Sequence, residues 1–442
     1  MLKPILFVVV AGAVAYASSS SAMAATPTPV TAPADSVVYT VRPGESLYVL
    51  AGQYFLHRSD YRVVQRANRI ANPLRIPVGT VLHIPVAVLR AAPLVAKVAA
   101  FHGAVRLTSG GRDLAPAAGA ELAAGAVIET GGDGFVTLAL PNGSRTSIPT
   151  HSRLRIVNLR RFILTGDIDY DLAVDAGKVE TKATPLGPGS GSFRVRTPRV
   201  VTAVRGTQFR VGLENDSSLA EVLEGTVGTG TGNAAATPIH MGFGAVVSKT
   251  GALSSEALLP APELVQPGRV QVDPLVHLAL AGQAVARGYH VQVAKDAGFG
   301  EIVAEARSTA PAFELPGIPN GALFVRISAF APSGLEGMAQ TYAMRRVLTG
   351  LSASASADAD GMRFKWSGEG EGRRTYHFQL VRADRRDVPV VDEPGLAGDE
   401  VTLRDLGPGT YFWRVGVRQA SGADVTENWL PFEKLIVAAP EG

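Results

Sequence analysis

Cysteine is absent from all 442 residues. That absence removes disulfides, thiol nucleophiles, thiolate metal sites and a lipid anchor carried on cysteine. Charge is sparse: Asp, Glu, Lys and Arg make up 18% of the chain and leave a net +3, too little for a nucleic-acid footprint. Hydrophobic residues at 46% exclude a wholly disordered polymer. The eight histidines (57, 83, 102, 151, 240, 277, 290, 377) are scattered, and none sits at metal-ligand spacing. Also missing are a Gly-x-Ser-x-Gly elbow, a phosphate loop and a dinucleotide fingerprint between a strand and a helix. The apolar run at residues 5–16 is short for a bilayer span, and no later stretch approaches membrane length.

What the chain has in plenty is glycine and proline, 48 and 29 residues, which suits many short strands joined by turns. Its length accommodates three or four domains. Lys3 precedes the first apolar run and Ala22-Met23-Ala24 follows it, the pattern of a secretory signal. Residues 1–24 are expected to be a signal peptide and residues 25–36, with their alternating prolines, an extended linker. Charge is unevenly placed. Residues 36–90 carry seven arginines against Glu45 and Asp60, a net +5, whereas residues 350–442 carry a net −4. The basic segment suits a weak, salt-screened attraction to an anionic wall polymer, and equally well a solvated helix face.

Residues 38–85 hold the clearest local pattern. Tyr39 and Val41 alternate as a short strand, and Pro43-Gly44 turns it. Glu45 and Ser46 offer acceptors to the free N–H groups that open a helix. Leu47, Leu50, Ala51 and Tyr54 recur at helical spacing, a second helix fits Tyr61 to Asn68, and Val81, Leu82 and Ile84 make a return strand. This strand–helix–helix–strand order resembles the LysM module. The similar residues are Tyr39, Val41, Gly44, Glu45, Ser46 and Leu47 at the opening, Asn68 in the middle, and Gly79, Leu82, Ile84 and Pro85 at the close. Glu-Ser stands where Asp-Thr is usual, and Tyr48 where Trp is frequent.

The resemblance implies that residues 37–86 bind an N-acetylglucosamine-containing glycan such as peptidoglycan. The sugar would lie in a shallow trough with Gly44, Glu45, Ser46 and Leu47 on one side and Asn72, Pro73, Leu74, Arg75 and Ile76 on the other. Backbone groups and Asn72 can bond an acetamido group, while Leu47 or Ile76 can cover its methyl and the sugar's apolar face. At least one of those two also serves the core. Val86 to Ala100 reads as an alanine-rich connector.

From Phe101 to about Leu258 every signal is a short strand. Val136, Leu138 and Leu140 alternate, Asn142-Gly143 turns, and a strand returns toward Ile148. Thr197-Pro198, Val204-Arg205-Gly206-Thr207, Phe209 and Glu224-Gly225 resemble the FecR domain. Gly103, Val105, Gly125, Ile128, Thr130-Gly131 and Asn142-Gly143-Ser144 extend that resemblance, so residues 101–258 are expected to be a FecR-like all-β domain. Gly206 is expected to take a positive φ or to allow close backbone approach, and Arg205 to pair with a carboxylate. Asp167, Asp169, Asp171 and Asp175 begin like a calcium loop, but Leu172 and Lys178 stand where the loop needs glycine and glutamate. A strand with a wet face is the better reading.

The remainder repeats itself. Tyr289 to Val293 recurs as Tyr376 to Leu380, and Leu323 to Ile327 recurs as Tyr411 to Val415, at offsets of 87 and then 88. The units at residues 266–347 and 350–438 are expected to be β-sandwiches. They resemble fibronectin type III domains, with Trp366 and Trp413 in the core and His290 and His377 at a sandwich surface or edge. The expected fold class is therefore mainly β and multidomain: a small βααβ LysM module, an all-β FecR-like domain and two sandwiches.

No catalytic residue, metal ligand or cofactor emerges from these patterns. The chain reads as a non-catalytic exported protein of the periplasm that binds peptidoglycan and presents its β domains to an unidentified envelope protein. No nucleic-acid partner and no transmembrane segment after signal cleavage are expected. The FecR resemblance leaves a second reading open, a periplasmic signalling or regulatory component. With a signal peptide expected at the start, that family's cytoplasmic arm is not expected in this chain. A cell-wall remodelling enzyme is a third reading.

Overall fold

The computed structural model describes residues 36–186, 191–204, 206–231, 236–358, 361–421 and 424–438. The expected signal peptide, the linker up to residue 35 and Arg205 lie outside the described residues. In the first unit, Ser36–Thr40 pairs antiparallel with Val81–Pro85, Tyr39 opposite Leu82. Helices Leu47–Tyr54 and Tyr61–Ala67 lie between them. The first helix starts where Ser46, in extended backbone, accepts the Val49 N–H at 3.2 Å. Glu45 does not cap it: its carboxylate accepts from the Tyr39 hydroxyl at 2.7 Å and from the Arg42 N–H at 2.8 Å. Asn68 ends the second helix and ties it to the return strand, donating to the Val64 and His83 carbonyls and accepting the His83 N–H. Leu47, Leu50, Phe55, Val64, Leu82 and Ile84 fill the core. Phe162, from a strand of the next domain, is buried with them.

The expected connector Val86 to Ala100 instead supplies the strands Ala91–Pro93 and Ala96–His102. The second pairs with Phe135–Ala139, because Ala96 and Val98 alternate inward and small side chains suffice there. Among the described residues, the region to residue 257 forms a nine-stranded and a ten-stranded sheet packed on one core. Val136 and Leu138 reach it from one sheet, Ile156, Leu172 and Phe193 from the other. The aspartate run is a strand, Ile168–Ala176, yet its polar face is dry at Asp169 and Asp171. Arg160 and Arg194 hold Asp169 at 2.7 and 2.9 Å, and Arg196 holds Asp171 at 2.7 Å. These arginines come from the two flanking strands, where Arg160 stands opposite Asp169 and Arg194 opposite Asp171. Long cations from the neighbouring strands thus replace the expected water.

Two sandwiches follow. Gly288–Ala294 pairs with Gly321–Phe330, and Arg373–Arg382 with Gly409–Ser421. Val291 faces Ile327 and Phe378 faces Val415, so both copies share one register at the offsets visible in the sequence. The first packs a four-stranded sheet with the pair Val276–Ala279 and Ala312–Leu315. The second combines a five-stranded and a three-stranded sheet, with Trp366 and Trp413 in its core.

Candidate functional site

The two loops of the expected trough meet. The Leu47 N–H donates to the Pro73 carbonyl at 2.9 Å. The Asn72 Oδ1 accepts the Leu74 N–H at 3.0 Å, which folds the second loop back on itself. Gly44 has φ 84, a conformation that lets the first loop swing into its helix at no steric cost.

The nine expected residues divide between core and surface. Leu47 and Ile76 are buried, so their side chains pack inside and face no sugar. Ser46 is buried with its hydroxyl in the helix cap. The Glu45 carboxylate is held by Tyr39, whose own hydroxyl is pushed up to about 12 by burial and by that carboxylate. The loops expose Gly44, Asn72, Arg75 and the Leu74 side chain, 63% accessible, with Pro73 half-buried between them. Tyr48 stands next to Leu47, exposed, its ring 5.4 Å from Tyr61, over which Arg62 lies. The sequence reading left Tyr48 out of the trough. Helical spacing contained the signal: with Leu47 and Leu50 inward, Tyr48 must project outward.

A denser polar cluster lies where the nine-stranded sheet meets the first sandwich. Lys178 bridges Glu221 at 2.7 Å and Glu336 at 3.2 Å. Glu180 takes Arg210 at 3.0 Å and Arg326 at 2.9 Å. His290 sits between Glu305 and Glu336, at 2.7 and 2.8 Å. Burial pulls its imidazole down, but Glu336 and Glu305 outweigh that and hold it above the ordinary value. Burial likewise opposes charge on Glu180, and Arg326 and Arg210 overcome it, leaving that carboxyl at about 2. His290 stands at the surface of its sandwich, as expected, yet it is buried. It does point to the outer side of its sheet, but a second domain covers that side. The cluster closes on itself and functions as a joint between domains.

Comparison with known proteins separates the modules. Residues 39–85 match the LysM domain family and residues 126–228 the FecR protein family. No curated protein matches the chain. A crystal structure of a candidate anti-sigma factor from Parabacteroides distasonis is 17% identical, covers 30% of this chain and has a TM-score of 0.25. This chain spans only 59% of that protein's length. A two-domain fibronectin type III segment of chicken tenascin is 14% identical and covers 40% of this chain and 100% of its own, with a TM-score of 0.20. Fibronectin(III)-like modules of Clostridium thermocellum CbhA are 11% identical over 40% of this chain and 93% of theirs, with a TM-score of 0.18. The chain thus carries a LysM domain and a FecR domain, followed by two β-sandwiches. Both matched families are non-catalytic binding and signalling domains typical of the cell envelope. Among the described residues, no helix is long and apolar enough to cross a membrane.

Proposed function

We propose that this chain is an exported, non-catalytic protein of the periplasm that binds peptidoglycan through residues 37–86. Its FecR-like domain, residues 101–258, and its sandwiches, residues 266–347 and 350–438, are then presented to a protein partner in the envelope. The observation that carries the reading is the LysM match together with the Leu47–Pro73 contact, which joins the two loops into one rim. On that rim the Asn72 amide is available to an acetamido group, and Leu74 and Tyr48 supply apolar surface to a sugar face. A single shallow site of this kind binds short oligosaccharides with Kd on the order of 10 μM to 1 mM.

Pelleting with purified peptidoglycan tests the reading. Deleting the whole module would uncover Phe162, so the sharper variant is Asn72→Asp, which keeps the acceptor for the Leu74 N–H and removes the amide donor, with Leu74→Ser. It should move the protein from pellet to supernatant, with affinity for short chitin oligomers falling about tenfold and the melting curve unchanged. Equal pelleting of this variant in moderate salt would remove the trough as the anchor. Release of muropeptides by the purified chain would overturn the non-catalytic reading. The FecR match favours one alternative, a periplasmic signalling component. Under that reading, loss of the whole chain changes stimulus-dependent transcription, and the trough variant does not.

A further inference from the structure

The second sandwich leaves without a covering domain the four positions that the first sandwich buries, with Asp392 where the first has Glu305. In the first, His290, Gln292, Glu305 and Arg326 stand together on the outer side of the sheet, Gln292 paired across strands with both Glu305 and Arg326. His290 Nε2 meets Glu305 at 2.7 Å, and Arg326 Nε donates to Gln292 at 3.0 Å. At the repeat positions of the second stand His377, Gln379, Asp392 and Arg414, with Gln379 again paired with the acid and the arginine. His377 Nε2 meets Asp392 at 2.5 Å, and Arg414 Nε donates to Gln379 at 2.7 Å.

The difference is what lies on top. Over the first tetrad sits the nine-stranded sheet, whose Glu180 receives Arg326, and His290 and Gln292 are only 5% and 6% exposed. Over the second no other domain sits among the described residues, although His377 lies 4.8 Å from the Trp429 ring and, of the four, Asp392 alone is exposed. Arg414 has Gln379 as its one hydrogen-bond partner there, and its guanidinium lies 4.4 Å from the rings of Trp429 and Phe432. The Asp392 side chain is 45% exposed and uses Oδ1 for both His377 and Gln379, which leaves Oδ2 to offer. Along the same sheet Phe432, Val425 opposite Ala420 and Ile436 opposite Thr410 are exposed.

We propose that this face docks a second copy of the chain, sandwich to sandwich about a two-fold axis, with Arg414 of each copy receiving Asp392 of the other. The first tetrad shows the same constellation working as a domain interface, closed by a carboxylate on its arginine. The open face carries both partners of that closing pair, which makes it self-complementary, as a two-fold contact requires. Arg414 with the Trp429 and Phe432 rings, flanked by exposed aliphatic groups, matches the composition of interface hot spots. A second copy's FecR-like sheet is not the occupant, because its Glu180 is already held beneath its own first sandwich.

Sedimentation velocity of the full chain over a wide concentration range tests this. A monomer–dimer equilibrium is expected, weakened at least about tenfold by Arg414→Glu and likewise by Asp392→Lys. Mixing those two variants should restore the dimer, since Glu at 414 then meets Lys at 392 and the unchanged Arg414 and Asp392 meet each other. Ile436→Glu, on the exposed rim, provides a second weakening change should either reversal perturb folding. A wild-type chain that stays monomeric throughout, dimers indifferent to all three substitutions, or a monomer that captures only a foreign protein would each overturn the proposal. The outcome is independent of glycan binding, which Arg414→Glu leaves intact.

Discussion

At Gly206 the backbone takes φ 68, and a Cβ placed there would come within 2.6 Å of the Pro185 Cα. Two penalties therefore coincide, a left-handed conformation and a collision with main chain. Gly206→Val should lower the stability of the FecR-like domain by roughly 1–3 kcal/mol, the range for a forced backbone outlier. Hydrogen exchange within residues 101–258 measures it, and unchanged protection would mean the neighbouring loop moves aside freely. This glycine was legible because it stands between two strand patterns where only a sharp crossing fits. The burial of Leu47 and Ile76 was half legible: helical spacing placed Leu47 inward, but a loop isoleucine carries no periodic signal. Glu45 was misjudged as a cap because Tyr39, six residues earlier, competes for it.

Among the elements, the strand Arg153–Phe162 has two roles. Its inward Leu154 and Ile156 belong to the β-domain core, while Phe162 at its end is buried in the LysM core. Phe162→Ala should cost about 3–5 kcal/mol, the usual toll for emptying a buried phenylalanine site. The loss should fall on the small module. Hydrogen exchange would show it as faster exchange in residues 36–89, with the β-domain core protected as before; uniform loss of protection would contradict the assignment. Alternation made most strands readable, including Arg153 and Arg155 against Leu154 and Ile156. Ala96–His102 escaped because alanine satisfies an inward position without announcing it. The dry face of Asp169 and Asp171 escaped because each strand was read without its neighbours' arginines.

On the scale of the whole molecule, the joint around His290 makes stability depend on pH. The imidazole is held above its ordinary 6.5 because Glu336 and Glu305 outweigh its burial. Its contribution is complete below the unfolded value and is lost as pH rises through the folded one. Glu180, Glu305 and Glu336 are depressed from 4.5, burial notwithstanding, by Arg326, Arg210, His290 and Lys178. Their contribution is present above that ordinary value and is lost as pH falls toward the folded values, about 2 for Glu180. With Arg210 charged throughout, the joint should be strongest between roughly pH 5 and 6. Scanning calorimetry of the full chain should show the midpoint declining toward alkaline pH, and His290→Gln should flatten that arm. A decline of equal slope in the variant would assign it to another group. The repeat that carries His290 and His377 was plain in the sequence. Their different surroundings were not, because Glu180 and Glu336 are brought together only by the packing of two domains.

The Phe162 contact also has a hydrodynamic meaning. The Arg90 N–H donates to Tyr54 and the Ile163 N–H to Arg90, so hydrogen bonds from both sides of the domain boundary reinforce that buried ring. A small module on a loose leash would reorient in solution at its own fast rate. This one must rotate with the β-domain beneath it, and through the His290 joint with the first sandwich as well. Anisotropy decay from a dye near Leu56 should accordingly report one slow rotational correlation time. A glycan strand seated beside Leu74 would then lie at a fixed angle to the whole assembly, and that angle sets the attitude at which the protein rests on its polymer.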